Sequence, residues 1–184
     1  MVAVGGPDSR SCTQAGAGTD ASLSREERLN RMMLTHEQAV LRLCLISLHD
    51  VQLAQDAVQE TFIKAYRKMD GFRGEASEKT WLMRIAVNTC RDMTRGGWFR
   101  HVDKAVAIED LPLPTAPPSA EHIALTAAIM GLPQKYREVV LLHCDQGLTV
   151  RETAKALGIS APAVINRLKK ARAALASALE EGDA

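Results

Sequence analysis

Apolar positions recur at helical spacing in two long blocks of the chain. In "LNRMMLTHEQAVLRLCLISLH", Leu29, Met32, Met33, Val40, Leu43 and Cys44 make one stripe at the 3.6-residue period. In "VQLAQDAVQETFIKAYRKM", Val58, Phe62, Ala65, Tyr66 and Met69 make another, ending before Asp70-Gly71. The loop "DGFRGEASEK" leads into "TWLMRIAVNTCRDMTR", which stops at Gly96-Gly97. Pro112, Pro114, Pro117 and Pro118 then exclude helix from the second half of "GGWFRHVDKAVAIEDLPLPTAPPSA". Periodicity resumes at Ser119. The predicted fold is all-α: a helical bundle over residues 24–97, a flexible linker over 98–118 and a smaller helical unit over 119–184. Residues 1–23 are small, polar and Gly-rich, the composition of a disordered tail.

The C-terminal unit carries a sharper pattern. Leu132-Pro133 reads as a helix start with Pro at the first position, and that helix runs through "QKYREVVLLHC" to Gly147. Thr149 and Glu152 have the spacing of a capping box. Gly158 follows the next helical run as its stop, and Ser160 is a natural N-cap with Pro162 tolerated in the first turn. A short helix, a glycine turn and a longer helix make a helix-turn-helix. On the last helix Val164, Leu168, Ala171 and Leu175 share one side. Asn166, Lys169 and Lys170 point the other way, with Arg167 and Arg172 on the flanks. A helix with an apolar back and outward donors suits the major groove of duplex DNA; the alternative is a plain solvated basic face.

The helix "TWLMRIAVNTCRDMTR" has two different sides. Leu82, Ile85, Ala86, Thr89 and Met93 gather on one, and Trp81, Arg84, Asn88, Arg91 and Arg95 on the other. Aromatic rings and guanidinium groups stack on unpaired bases and amides read base edges, so this mixture suits single-stranded nucleic acid. The alternative places Trp81 back in the core. On the preceding helix, Asp56, Gln59, Glu60 and Ile63 lie away from the apolar stripe. An exposed Ile among acids fits docking onto a basic helix of another protein, as well as ordinary surface.

Composition narrows the choice. A chain of 184 residues with net charge +1 and 4% aromatic content is no general polyanion binder, so nucleic-acid binding has to come from local basic faces. Cys12, Cys44, Cys90 and Cys144 lie far apart with no zinc-ligand spacing, so no metal or other cofactor is expected. No leader-like segment opens the chain and no apolar run approaches the roughly 20 residues that cross a bilayer. A cytoplasmic protein without membrane insertion is expected.

The stretches "DAVQETFIKAYRKMDGFRG", "TWLMRIAVNTCRDMTR" and "LPQKYREVVLLHCDQGLTVRETAKALGISAPAVINRLKKAR", in this order, resemble the small extracytoplasmic-function (ECF) sigma factors of bacterial RNA polymerase. The likeness covers nearly everything beyond the N-terminal tail. It implies that 24–97 is sigma region 2 and 119–184 region 4, and that the chain is no enzyme. Asp56, Gln59, Glu60 and, beside them, Ile63 would grip the β′ clamp coiled coil of core polymerase, and region 4 would meet the β flap. The loop from Phe72 to Thr80, Arg73 included, would capture a flipped −10 base with Asn88. Trp81, Arg84, Arg91 and Arg95 would support the melted strand. Thr149 and the helix from Ser160 to Arg172, with Pro162, Ala163, Asn166, Arg167, Lys169 and Lys170, would read the −35 duplex. The linker would thread toward the RNA exit path, and a cognate anti-sigma factor would hold the chain inactive.

Two positions depart from the family pattern. Ile165 stands where a cation is usual, placing a methyl-seeking side chain in the recognition helix. The acidic pair usual before "VQETF" is reduced to Gln55-Asp56. The main alternative is a stand-alone helix-turn-helix regulator, which leaves the Trp81–Asn88–arginine face without a purpose. An enzyme built on its His and Cys residues is the other, and no catalytic constellation supports it.

Overall fold

The computed structural model describes residues 23–95 and 119–182; the expected linker and all but the end of the expected tail lie outside these residues. Every regular element among the described residues is helical. Helix α1 (Arg25–Leu48) starts at a reciprocal cap: the Glu27 amide donates to Ser24 Oγ, and the Ser24 amide donates to Glu27 Oε2 at 2.7 Å. That cap sets the start a turn ahead of the apolar stripe. The helix stops at His49, whose left-handed φ of 59° reverses the chain, and Asp50 at once caps α2 (Val51–Lys68) by accepting from the Leu53 amide at 2.8 Å. A 3-10 turn, Met69–Gly71, follows. Helix α3 (Glu78–Arg95) begins where Ser77 Oγ accepts from the Thr80 amide.

In the C-terminal unit, Ser119 caps α4 (Ala120–Gly131). Pro133 stands at the N-cap of α5 (Gln134–Val140), one position earlier than expected, and the regular helix does not reach Gly147. It widens into a π turn, Leu141–Asp145, closed by the Gln146 amide donating to the Leu141 carbonyl at 2.8 Å. Thr149 and Glu152 form the expected capping box of α6 (Val150–Leu157). Gly158 ends that helix in the left-handed region at φ 67°, and Ser160 Oγ accepts from the Ala163 amide at the start of α7 (Ala161–Gly182).

The two units share one core. Leu43, Ile46 and Leu82 from the first unit belong to the same buried cluster as Leu142, Leu157 and Val164 from the second. Helix α3 makes this possible by burying two sides. The expected set Leu82, Ile85, Ala86 and Thr89 is buried, Met93 only partly, and Met83, Val87 and Cys90 are buried as well. Val87 and Cys90 line a small cleft with Gln134, Arg137 and Glu138 of α5, so this second stripe meets the C-terminal unit. Leu29 and Met33 of the α1 stripe are only half-buried, and Met32 faces the core. Tyr66 is likewise half-buried, its ring under the Arg25 guanidinium and its hydroxyl donating to Glu26.

Truncating Leu43, fully buried, to Ala is expected to destabilise the fold by about 2–5 kcal/mol. Gly158→Ala meets no atom within 4 Å, so its cost is backbone strain alone, about 1–2 kcal/mol. Urea unfolding followed by circular dichroism measures both.

Candidate nucleic-acid interface

Five of the side chains expected at the −10 element converge. Phe72, Arg73, Thr80, Trp81 and Arg84 line one open cavity of about 510 Å³ between the loop after α2 and the first turns of α3. Its apolar wall is a pair of rings, Phe72 and Trp81, with centroids 5.0 Å apart and planes inclined by 42°. Trp81 is half-buried: its ring rests on the core while the cavity reaches it, so it is neither wholly outward nor wholly in the core. Arg73 and Arg84 are exposed at the rim. One helical turn on, Asn88 is exposed with its amide oxygen turned to Arg91, and Arg95 is exposed beyond it.

Thr80 and Arg91 differ from the rest of that face. Thr80 is buried, its hydroxyl placed between Ser77 Oγ at 2.8 Å and Glu152 Oε1 of α6 at 3.2 Å. Arg91 forms a two-pronged ion pair with Glu138 of α5, Nε to Oε1 at 2.7 Å and Nη2 to Oε2 at 2.6 Å. The Glu138 carboxylate drives the Arg91 pKa further up. Lys155 of α6 reaches over the cavity to the Glu75 carbonyl at 3.1 Å. Lys155 is invisible to local pattern, because its partner lies 80 residues away.

Helix α7 presents the expected arrangement. Val164, Leu168 and Ala171 are buried and Leu175 half-buried, whereas Asn166, Lys169, Lys170 and Arg172 are exposed. Pro162 is exposed, Ala163 half-buried, and Ser160 and Thr149 sit exposed at the two caps. Arg167 is half-buried and lines a cleft with Arg91, Arg95 and Glu138. Ile165 is 58% exposed on the outward side, among the polar donors.

On α2, Asp56 and Gln59 are exposed, Ile63 is 44% exposed, and Glu60 is half-buried with Lys64 at 3.7 Å. Gln59 and Ile63 edge an apolar groove of about 540 Å³ whose other wall is Leu29 and Met33 of α1. Their helical period puts both on the core side of α1, yet both are only half-buried at the groove. Among the described residues no cluster of His, Cys, Asp or Glu is arranged to hold a metal, and no helix is long and apolar enough to cross a membrane.

The sigma-70 region 2 profile matches residues 32–100, and the sigma-70 region 4 profile residues 122–175. The chain is 31% identical to the RNA polymerase sigma-H factor of Pseudomonas aeruginosa over 163 residues, covering 81% of this chain and 84% of the relative. It is 31% identical to the ECF RNA polymerase sigma factor SigM of Mycobacterium tuberculosis, covering 82% and 76%. The solved structure of CnrH with the cytosolic domain of CnrY is similar at a TM-score of 0.66 and 26% identity, over 89% of this chain and 94% of CnrH. The chain belongs to the ECF group of sigma-70 factors. Its function is to direct core RNA polymerase to promoters, and sigma factors act there as non-enzymatic initiation factors.

The α1–α3 joint supports the cavity from behind. Glu78, in the first turn of α3, receives Arg31 and His36 of α1. The bond from His36, together with Arg31, outweighs burial and holds its carboxyl below the ordinary value of 4.5. A depressed carboxylate stabilises the fold above its unfolded value and loses that contribution as pH falls through the folded one. Stability is therefore expected to decline below about pH 4.5. Glu78→Gln should remove part of that slope, leaving the similarly depressed Glu26 and Glu152 to supply the rest. Thermal melts across acid pH, parent against variant, measure it.

Proposed function

We propose that the two DNA-reading tasks divide between the α3 cavity and α7. The convergence of Phe72, Arg73, Thr80, Trp81 and Arg84 on one open cavity carries this reading. An aromatic wall, rim guanidiniums and a neighbouring exposed amide, Asn88, suit an unstacked base and its backbone. Arg91 and Arg95 continue the cationic face along the strand. On α7, Asn166, Lys169, Lys170 and Arg172 face a major groove, where Ile165 meets a thymine methyl in place of a phosphate or guanine. Thr149, Ser160, Pro162, Ala163 and Arg167 frame that contact at the helix starts and flank.

The α2 surface of Asp56, Gln59, Glu60 and Ile63 docks on the β′ clamp coiled coil, and the groove beside it takes the partner's apolar side chains. The units divide as residues 24–97 and 119–184, with 98–118 as linker. The chain makes and breaks no bonds itself: captured bases hold the duplex open. The work is cytoplasmic, where core polymerase and DNA are. A cognate anti-sigma factor binds this chain much as the cytosolic domain of CnrY binds CnrH.

Asn88→Ala or Trp81→Ala should impair promoter opening more than −35 binding. With a stacked base contributing about 1–3 kcal/mol, open complexes fall about tenfold, read by permanganate reactivity of promoter thymines. Unchanged reactivity contradicts the assignment. Replacing Lys169 and Lys170 with Ala should make the salt dependence of −35 binding shallower by about one counterion per residue, measured by anisotropy across a salt series. Equal slopes for parent and variant rule out phosphate contact at these positions.

A further inference from the structure

Two thiols that lie 46 positions apart in the chain meet inside the first unit. Cys44, near the end of α1, and Cys90, late on α3, hold their sulfurs 3.6 Å apart in a thiol–thiol hydrogen bond. Both are buried, and a small turn of either side chain brings the sulfurs to bonding distance. Among the described residues no third His, Cys, Asp or Glu joins them, so the pair is not arranged as a metal site. The two sulfurs differ in access. Cys44 is fully buried, and its bond to Cys90, together with burial, holds its thiol well above the ordinary 9.0. Cys90 is 4% exposed and opens on a cleft of about 10 Å³, walled in part by Arg137 and Glu138. That is about the space one water needs, so an oxidant near that size reaches Cys90 while a peptide disulfide does not. Arg137 supplies a cation to face a Cys90 thiolate: burial pushes the Arg137 pKa down, and Glu138 and Cys90 oppose that shift.

We propose that Cys44 and Cys90 are a redox pair, oxidised by a small hydroperoxide to a reversible disulfide that staples α1 to α3. The Cys90 thiolate attacks one peroxide oxygen. The O–O bond breaks, leaving a Cys90 sulfenic acid and a hydroxide that takes up a proton and departs as water. The Cys44 sulfur then attacks the sulfenic sulfur. The S–S bond forms, the S–O bond breaks, and the departing hydroxide takes the Cys44 proton as a second water. Together the thiols lose two electrons and two protons, and the peroxide is reduced to water. A dithiol reductant reverses the bond by exchange. The crosslink closes a long loop of chain that includes α2, so the oxidised bundle resists unfolding more than the reduced one. Cys144, exposed on the π turn, takes no part.

The test treats the full chain, with Cys12→Ser and Cys144→Ser to prevent links between molecules, with hydrogen peroxide. Intact mass should fall by two hydrogens, and peptide mapping should find the Cys44 and Cys90 peptides joined until a dithiol is added. The oxidised chain should melt about 4–16 °C higher than the reduced one by circular dichroism. Adding Cys44→Ser should leave a sulfenic acid at Cys90 that a cyclic dione traps, whereas adding Cys90→Ser should leave Cys44 unmodified. Cys44→Ala and Cys90→Ala replace either serine variant that loses helicity. Oxygen retained on Cys90 while Cys44 is present, thiols that stay unreacted, or a link that forms only after denaturation overturns the redox pair. A crosslinked chain that melts no higher than the reduced one overturns the staple. These readouts need neither promoter nor polymerase, so they stand apart from the DNA-reading assignments.

Discussion

The structure turns on α3, which must be buried and available at the same time. Its Leu82–Ile85–Ala86–Thr89 side completes the three-helix bundle, and without that burial the helix has nothing to hold its register. Its arginine-rich side has to face outward, because a guanidinium sent into the core without a partner costs several kcal/mol. The two demands fix the rotation of the helix about its own axis, and so fix where Trp81 and Phe72 meet. Glu78, tied to Arg31 and His36, then sets where along α1 the first turn sits.

Much of this was legible in the residues. Stop signals and caps act over three or four positions, so Thr149, Glu152, Gly158 and Ser160 mark the helix boundaries directly, whereas the Asp50 cap of α2 emerges only in the structure. The apolar stripes gave the inner faces of α2 and α7 for the same reason. Interactions between distant segments were not legible. Arg91 meets Glu138 across 47 residues, and Arg42 meets Asp145 across 103, and no local period encodes such a choice. The second buried side of α3 was hidden too: Met83, Val87 and Cys90 each precede an arginine or asparagine, and the C-terminal unit packed against them completes their burial. The π turn escaped because a single widened turn leaves the apolar pattern of "VVLL" intact.

The two departures from the family pattern sit on surfaces, where neither is held by the core. Asp56 is exposed at the edge of the α2 surface, next to an apolar groove lined by Leu29, Met33 and Ile63. Ile165 stands on the outward side of α7 with no core to satisfy. In the proposed −35 contact, a branched aliphatic there would exchange a long-range electrostatic contact for a short-range shape contact, favouring discrimination between bases over general attraction to the duplex.

Three neighbours read α3 at once: the bundle beneath it, helices α5 and α6 beside it and whatever occupies its arginine-rich front. Cys90 shows the crowding, with its sulfur 3.6 Å from that of Cys44 on α1 while its other flank borders Glu138. Few exchanges on this helix suit all three audiences. The outward side of α7, where Asn166, Lys169, Lys170 and Arg172 are exposed, is free of that crowding.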